Sequence, residues 1–299
     1  MTTPGRSVPA PARRFALALC NEVVRELPFG AQCELAAGLG YDALEVAPFT
    51  LADDPRELSD RDLARLRRIA EDAGVRVSGL HWLLTAPAGL SITRADPAVR
   101  ERTLSVMHAL IDACAALGGT VLVHGSPGQR ELSDDDPDGD AARGREAFAA
   151  VAEHAERAGV SYVIEPLSHH ETRFVTSWEE AAAIVRDVGS PALRTMIDTR
   201  AARWSEDEPV ERVLERGLLD GTVAHVHLND RDRRAPGQGE DRFAAVLDVL
   251  LRQGYAGTVG IEPFVYQPDG PTAAARAAGY VQGLIEALAW RDAARPPAG

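Results

Sequence analysis

At 299 residues and 45% hydrophobic content the chain is long for one ordinary domain, yet it fits a single α/β barrel with a sizeable core. Its 45 acidic residues against 32 basic ones leave a net charge of −13, which argues against a nucleic-acid binder that must neutralise phosphates. Histidine apart, every basic residue is an arginine. Without a lysine there is no Schiff-base aldolase, no pyridoxal-phosphate anchor and no P-loop.

From the N-terminus, residues 1–13 ("MTTPGRSVPAPAR") lack the apolar core of a secretory signal and read as a disordered tail on a cytoplasmic protein. No apolar run reaches the roughly 18 residues of a membrane span. Cys20, Cys33 and Cys114 are too scattered for a metal-ligand or disulfide pattern and read as reduced, buried thiols. Eight short runs rich in Val, Ile and Leu then recur as strand candidates: 15–20, 43–48, 75–82, 120–125, 160–166, 193–198, 223–228 and 257–263. Amphipathic segments separate them. Residues 60–74 and 96–119 carry helical spacing, and 176–189 opens with Ser177 and Glu180 in a capping-box pattern. The acidic stretch 133–146 is expected to be a solvated insertion ahead of the fourth helix, with the wrong spacing for an EF-hand. Eight strands alternating with eight helices predict a single-domain (β/α)8 TIM barrel over 14–292, and no GxGxxG follows the first strand.

Chemistry in this architecture sits at the C-terminal strand ends. The last polar residues there are His81, His124, Glu165, Asp198, His227 and Glu262 on strands three to eight. Glu165 and Glu262 share an apolar-apolar-Glu-Pro context ("VIEP", "GIEP"), and a carboxylate leaving a buried strand needs a compensating charge. For any one of these residues an arginine or a helix N-terminus could supply it. Glu165, Asp198, His227 and Glu262 together instead predict a site for one divalent metal ion, Mn2+, Mg2+ or Co2+ suiting three carboxylates and an imidazole better than a structural zinc does. His225, two residues deeper than His227, reads as a packed histidine or one that supports the ligands.

The segments "EPLSHHETRF", "MIDT", "HVHLNDRDRRAPGQGEDRF" and "GIEPF" resemble the xylose isomerase-like TIM-barrel superfamily, the sugar phosphate isomerases/epimerases, and within it the ketose 3-epimerase branch. The likeness runs from Phe15 to about Trp290. It implies an isomerase acting on a small sugar through an enediolate, with Glu165 and Glu262 as the acid/base pair. It also implies Glu171 and Arg233 as substrate contacts, and a homodimer or homotetramer. Arg233 has a bland alternative, a surface ion pair with Asp230 or Asp232. The branch commonly carries a histidine three residues after the strand-six aspartate; here Ala201 stands there, and His169 and His170 replace a polar-aromatic pair, so an altered sugar pocket is expected.

Two rival chemistries use the same barrel. A keto-sugar or keto-inositol dehydratase would begin with the same enolisation and expel a hydroxyl. An endonuclease IV-like metallohydrolase would recruit more ligands, for which His81 and His124 are candidates. In the sugar enzyme these two histidines are candidate substrate contacts, set against packing roles, His81 beside Trp82 and His124 at its strand end. Neither nucleic acid nor membrane is expected as a partner.

Overall fold

The computed structural model describes residues 15–294; the tail assigned to 1–13 lies outside them. Eight strands, β1 (Ala16–Cys20), β2 (Ala43–Val46), β3 (Arg76–Leu80), β4 (Val121–His124), β5 (Ser161–Ile164), β6 (Leu193–Asp198), β7 (Val223–Leu228) and β8 (Thr258–Ile261), close into one parallel barrel in chain order. β1 pairs with β8 to shut it, Ala18 opposite Gly260 and Leu19 opposite Ile261. Each expected strand is present, shortened by zero to three residues in all.

The helices are α1 (Phe29–Gly38), α2 (Asp60–Asp72), α3 (Pro97–Ala116), α4 (Pro137–Ala158), α5 (Trp178–Val188), α6 (Thr199–Ser205), α7 (Val210–Asp220), α8 (Ala244–Arg252) and α9 (Gly270–Ala293). Their starts follow local chemistry. The Ser177 hydroxyl accepts from the Glu180 amide (3.2 Å), while the Glu180 carboxylate reaches back to the Thr176 amide (2.6 Å), closing the expected box one residue early. Two expectations are corrected. The stretch 133–146 is only half loop: Asp136 caps the Gly139 amide and Pro137 occupies the first helical position, so α4 begins inside the acidic run. The region between β6 and β7 holds two helices, because Asp198 itself caps α6 through the Ala201 amide. No helix among the described residues is long and apolar enough to cross a membrane.

Most of the apolar core lies between strands and helices. A second, small cluster of Val121, Val123, Val163 and Met196 plugs the inside of the barrel. Strand side chains repeat every two residues, so the face that carries Val163 and Met196 carries Glu165 and Asp198 one step nearer the C-terminal mouth. Asp198 pairs in register with His227, and His227 with Gly260. On the β4–β6 side the barrel is therefore apolar at its waist and acidic at its mouth.

Candidate active site

Glu165, Asp198, His227 and Glu262 are all buried, and their ligand atoms lie within 4.8 Å of one another. The strand-end reading placed these four together, and the structure brings them together. His227 Nδ1 sits 3.0 Å from Glu262 Oε2, on the side facing the other carboxylates. Its Nε2 is 2.8 Å from Oε1 of Glu45 on β2, 182 positions away in the chain. His225 Nε2 lies 2.9 Å from the other Glu45 oxygen, the supporting position expected for it. Glu45 thus holds the far nitrogen of His227 and leaves Nδ1 to the cluster, the carboxylate–histidine arrangement that orients metal ligands.

The electrostatics fit a cation. Burial, then Glu262 and Asp198, push the Glu165 carboxyl well above its ordinary range. Burial and Glu262 raise Asp198 to about 6. Burial alone would lower His227, but Glu262 and Glu45 outweigh it and raise it well above the usual imidazole value. Three carboxylates facing one another in a buried mouth are unfavourable unless a positive charge sits among them. A set of three carboxylates and one imidazole is that of a hard or borderline divalent ion.

The surroundings are fitted to these four. Asn229 donates to Asp198 Oδ2 (2.9 Å) and to the Glu262 carbonyl (3.1 Å), clasping the ends of β6 and β8. Trp82 Nε1 donates to Glu262 Oε1 (3.0 Å). The fully buried Arg130 donates to the Glu165 carbonyl (2.8 Å), putting a positive charge behind the strand end. Two glycines make room: a Cβ at 125 would stand 1.6 Å from Glu165 Oε2, and one at 260 only 2.8 Å from the His227 ring.

A pocket opens onto the cluster, with Glu165, Asp198 and Glu262 in its lining and Trp82 and Phe264 as walls. Glu171, Arg200 and Arg233 also line it. One Arg200 nitrogen donates to both oxygens of Glu171, each at 3.1 Å. Arg233 lies 5.2 Å over the Phe264 ring. The anticipated alternative for it, an ion pair with Asp232, is made by Arg234 instead. Its backbone is left-handed (φ 72°), and its carbonyl accepts from the Phe264 (2.8 Å) and Val265 (2.9 Å) amides. Left-handed backbone at a non-glycine residue is held only where the surroundings require it.

His81 and His124 are not brought to this pocket. His81 Nε2 pairs with Glu22 at 2.7 Å. His124 Nδ1 meets the Tyr162 hydroxyl at 2.7 Å and stands edge-on to Phe148. His169 and His170 tilt against each other beyond the rim, where His170 meets Trp204. Ala201 lines the pocket.

Fold and site together define a TIM barrel with an acidic cation-ready mouth, and the chain belongs to the xylose isomerase-like TIM barrel family, whose family model matches residues 33–284. It is 34% identical over 248 residues to a D-psicose 3-epimerase of Agrobacterium fabrum, covering 79% of this chain and 80% of that protein. It is 27% identical to an L-ribulose 3-epimerase of Mesorhizobium japonicum, covering 75% and 72%. Among solved structures, an L-ribulose 3-epimerase superposes with a TM-score of 0.79 at 22% identity, covering 95% of this chain and all of that one, a likeness of fold.

Proposed function

We propose that this protein is a metal-dependent ketose epimerase, removing a proton from the carbon beside a ketone carbonyl and returning one to the opposite face. The carrying observation is that Glu165 and Glu262 belong to one four-donor cluster and line one pocket. Glu165, Asp198, His227 and Glu262 would hold Mn2+, Mg2+ or Co2+. When bound, such an ion supplies Lewis-acid polarisation of the carbonyl, lowering the cost of the enediolate by several kcal/mol.

The chain's own residues do the rest. One of Glu165 and Glu262 takes the proton and the other delivers its replacement. Two carboxylates on opposite sides of a planar intermediate invert the carbon, whereas return to the neighbouring carbon would give aldose–ketose isomerisation. Trp82 holds Glu262 in place through its indole N–H. Trp82 and Phe264 present apolar walls to the sugar and keep bulk water from the reacting carbon. Glu171, Arg200 and Arg233 supply acceptors and donors for hydroxyls at the rim.

Similarity to D-psicose and L-ribulose 3-epimerases makes ketoses the substrates to try. Incubation with D-psicose in deuterated water should give recovered sugar labelled at the exchanging carbon, with no loss of water and only when divalent metal is supplied. Loss of water would point to the dehydratase. Absence of exchange with every ketose offered would remove the epimerase. Similarity to ketose 3-epimerases favours the epimerase over the metallohydrolase; of that rival's two candidate extra ligands, His124 packs against Tyr162 and Phe148 away from the clusters, while His81 stands in a donor group with Glu262.

A further inference from the structure

Behind the pocket floor a second set of donors converges. The end of β1 delivers Cys20, the 3-10 turn Asn21–Val24 that follows delivers Glu22, the end of β3 delivers His81, and Glu262 is common to this set and the first. The four residues are buried, and one ligand atom from each lies within 4.8 Å of the others. The donor chemistry differs from that of the first cluster.

Hydrogen bonding within the set is incomplete. His81 Nε2 meets Glu22 Oε2 at 2.7 Å, yet Glu22 Oε1 and His81 Nδ1 are buried without a hydrogen-bond partner. Buried polar atoms without partners call for a ligand, a water or a role. A third grouping, Cys20 with Glu45 and His227, offers three donors instead of four, and both ring nitrogens of its His227 already face carboxylates. The four-donor set keeps Glu22 Oε1 and His81 Nδ1 without hydrogen-bond partners.

We infer that a second, thiophilic divalent cation such as Zn2+ binds at Cys20, Glu22, His81 and Glu262, beside the ion of the first cluster. One thiolate, one imidazole and two carboxylates make a four-donor set that zinc or cobalt takes in preference to magnesium. Binding turns the Cys20 thiol into a thiolate and releases its proton to solvent. The site goes beyond the epimerase reading and does not depend on it.

Cobalt distinguishes the two sites, because only a sulfur ligand produces a sulfur-to-cobalt charge-transfer band in the near ultraviolet. Full-length protein stripped of metal and titrated with Co2+ should bind two ions per chain and develop that band. Cys20→Ser should bind one ion and show no band. Asp198→Asn, which damages the first cluster, should keep the band while losing the other ion. If circular dichroism finds Cys20→Ser unfolded, His81→Gln takes its place and should bind one ion with the band lost or greatly weakened. One ion per wild-type chain with no band, two ions with no band, or a band that survives Cys20→Ser would each overturn the site, whereas one ion with the band would leave it standing and remove the first cluster. Failure of the first cluster reads differently: Asp198→Asn would leave the cobalt count unchanged.

Discussion

Two groups of buried carboxylates share one barrel mouth, and they are neutralised in different ways. On the β1–β3 side each acid has an imidazole: Glu22 meets His81, and Glu45 meets both His225 and His227. Glu45 is consequently held well below the carboxylate range despite its burial. On the β5–β8 side acids face acids, and Glu165 and Asp198 are pushed up. A carboxylate given an imidazole becomes a fixed support. A carboxylate given another carboxylate is left wanting a proton or a metal, and that is the half onto which the pocket opens.

Substitutions in the two halves should differ in size. Glu165→Gln, which keeps shape and removes basicity, should lower kcat by about 10²–10⁴-fold, the range for a positioned acid/base group, with unchanged circular dichroism; full activity would remove Glu165 from the reaction. Glu45→Gln leaves the four ligands intact but loosens His227, and should weaken metal affinity or turnover by about 10–100-fold, read by metal titration. An effect as large as that of Glu165→Gln would break the distinction between support and reacting group. Arg233→Ala should cost about tenfold in kcat/KM, the measure of a lost hydrogen bond to a charged group, with metal affinity unmoved.

The smallest effect on turnover belongs to His124. Burial, reinforced by Arg130, drives its imidazole down to about 3. The unfolded chain takes up that proton near pH 6.5 and the folded chain does not. Its contribution is therefore fully present above pH 6.5 and is lost as pH falls toward 3, at about 1.4 kcal/mol per pH unit. His124→Gln should flatten the urea-measured stability between pH 6.5 and 4.5 while leaving neutral-pH turnover nearly intact.

What the residues disclosed follows the same division. The four acidic-side positions stand at strand ends, where the apolar run stops at a polar residue, so counting strands found them. Glu45 stands inside "ALEV", its partner histidines are about 180 residues away, and only barrel closure joins them. A charge in the middle of an apolar strand was the available signal. Arg130 lies in a loop and Arg200 on a helix capped by Asp198 itself, neither marked by periodicity. His81 and His124 were found as strand-end residues, but the direction in which each ring turns is set by Glu22 and by Tyr162, and the one-dimensional pattern does not encode it.

Gly125 bears on anyone who would re-engineer the sugar preference. A methyl group at that position would overlap the Glu165 carboxylate, 1.6 Å from its oxygen. Position 125 therefore takes no side chain without displacing the Glu165 carboxylate. Libraries aimed at new substrates start better from Arg200 and Arg233, which line the same pocket from the ends of β6 and β7.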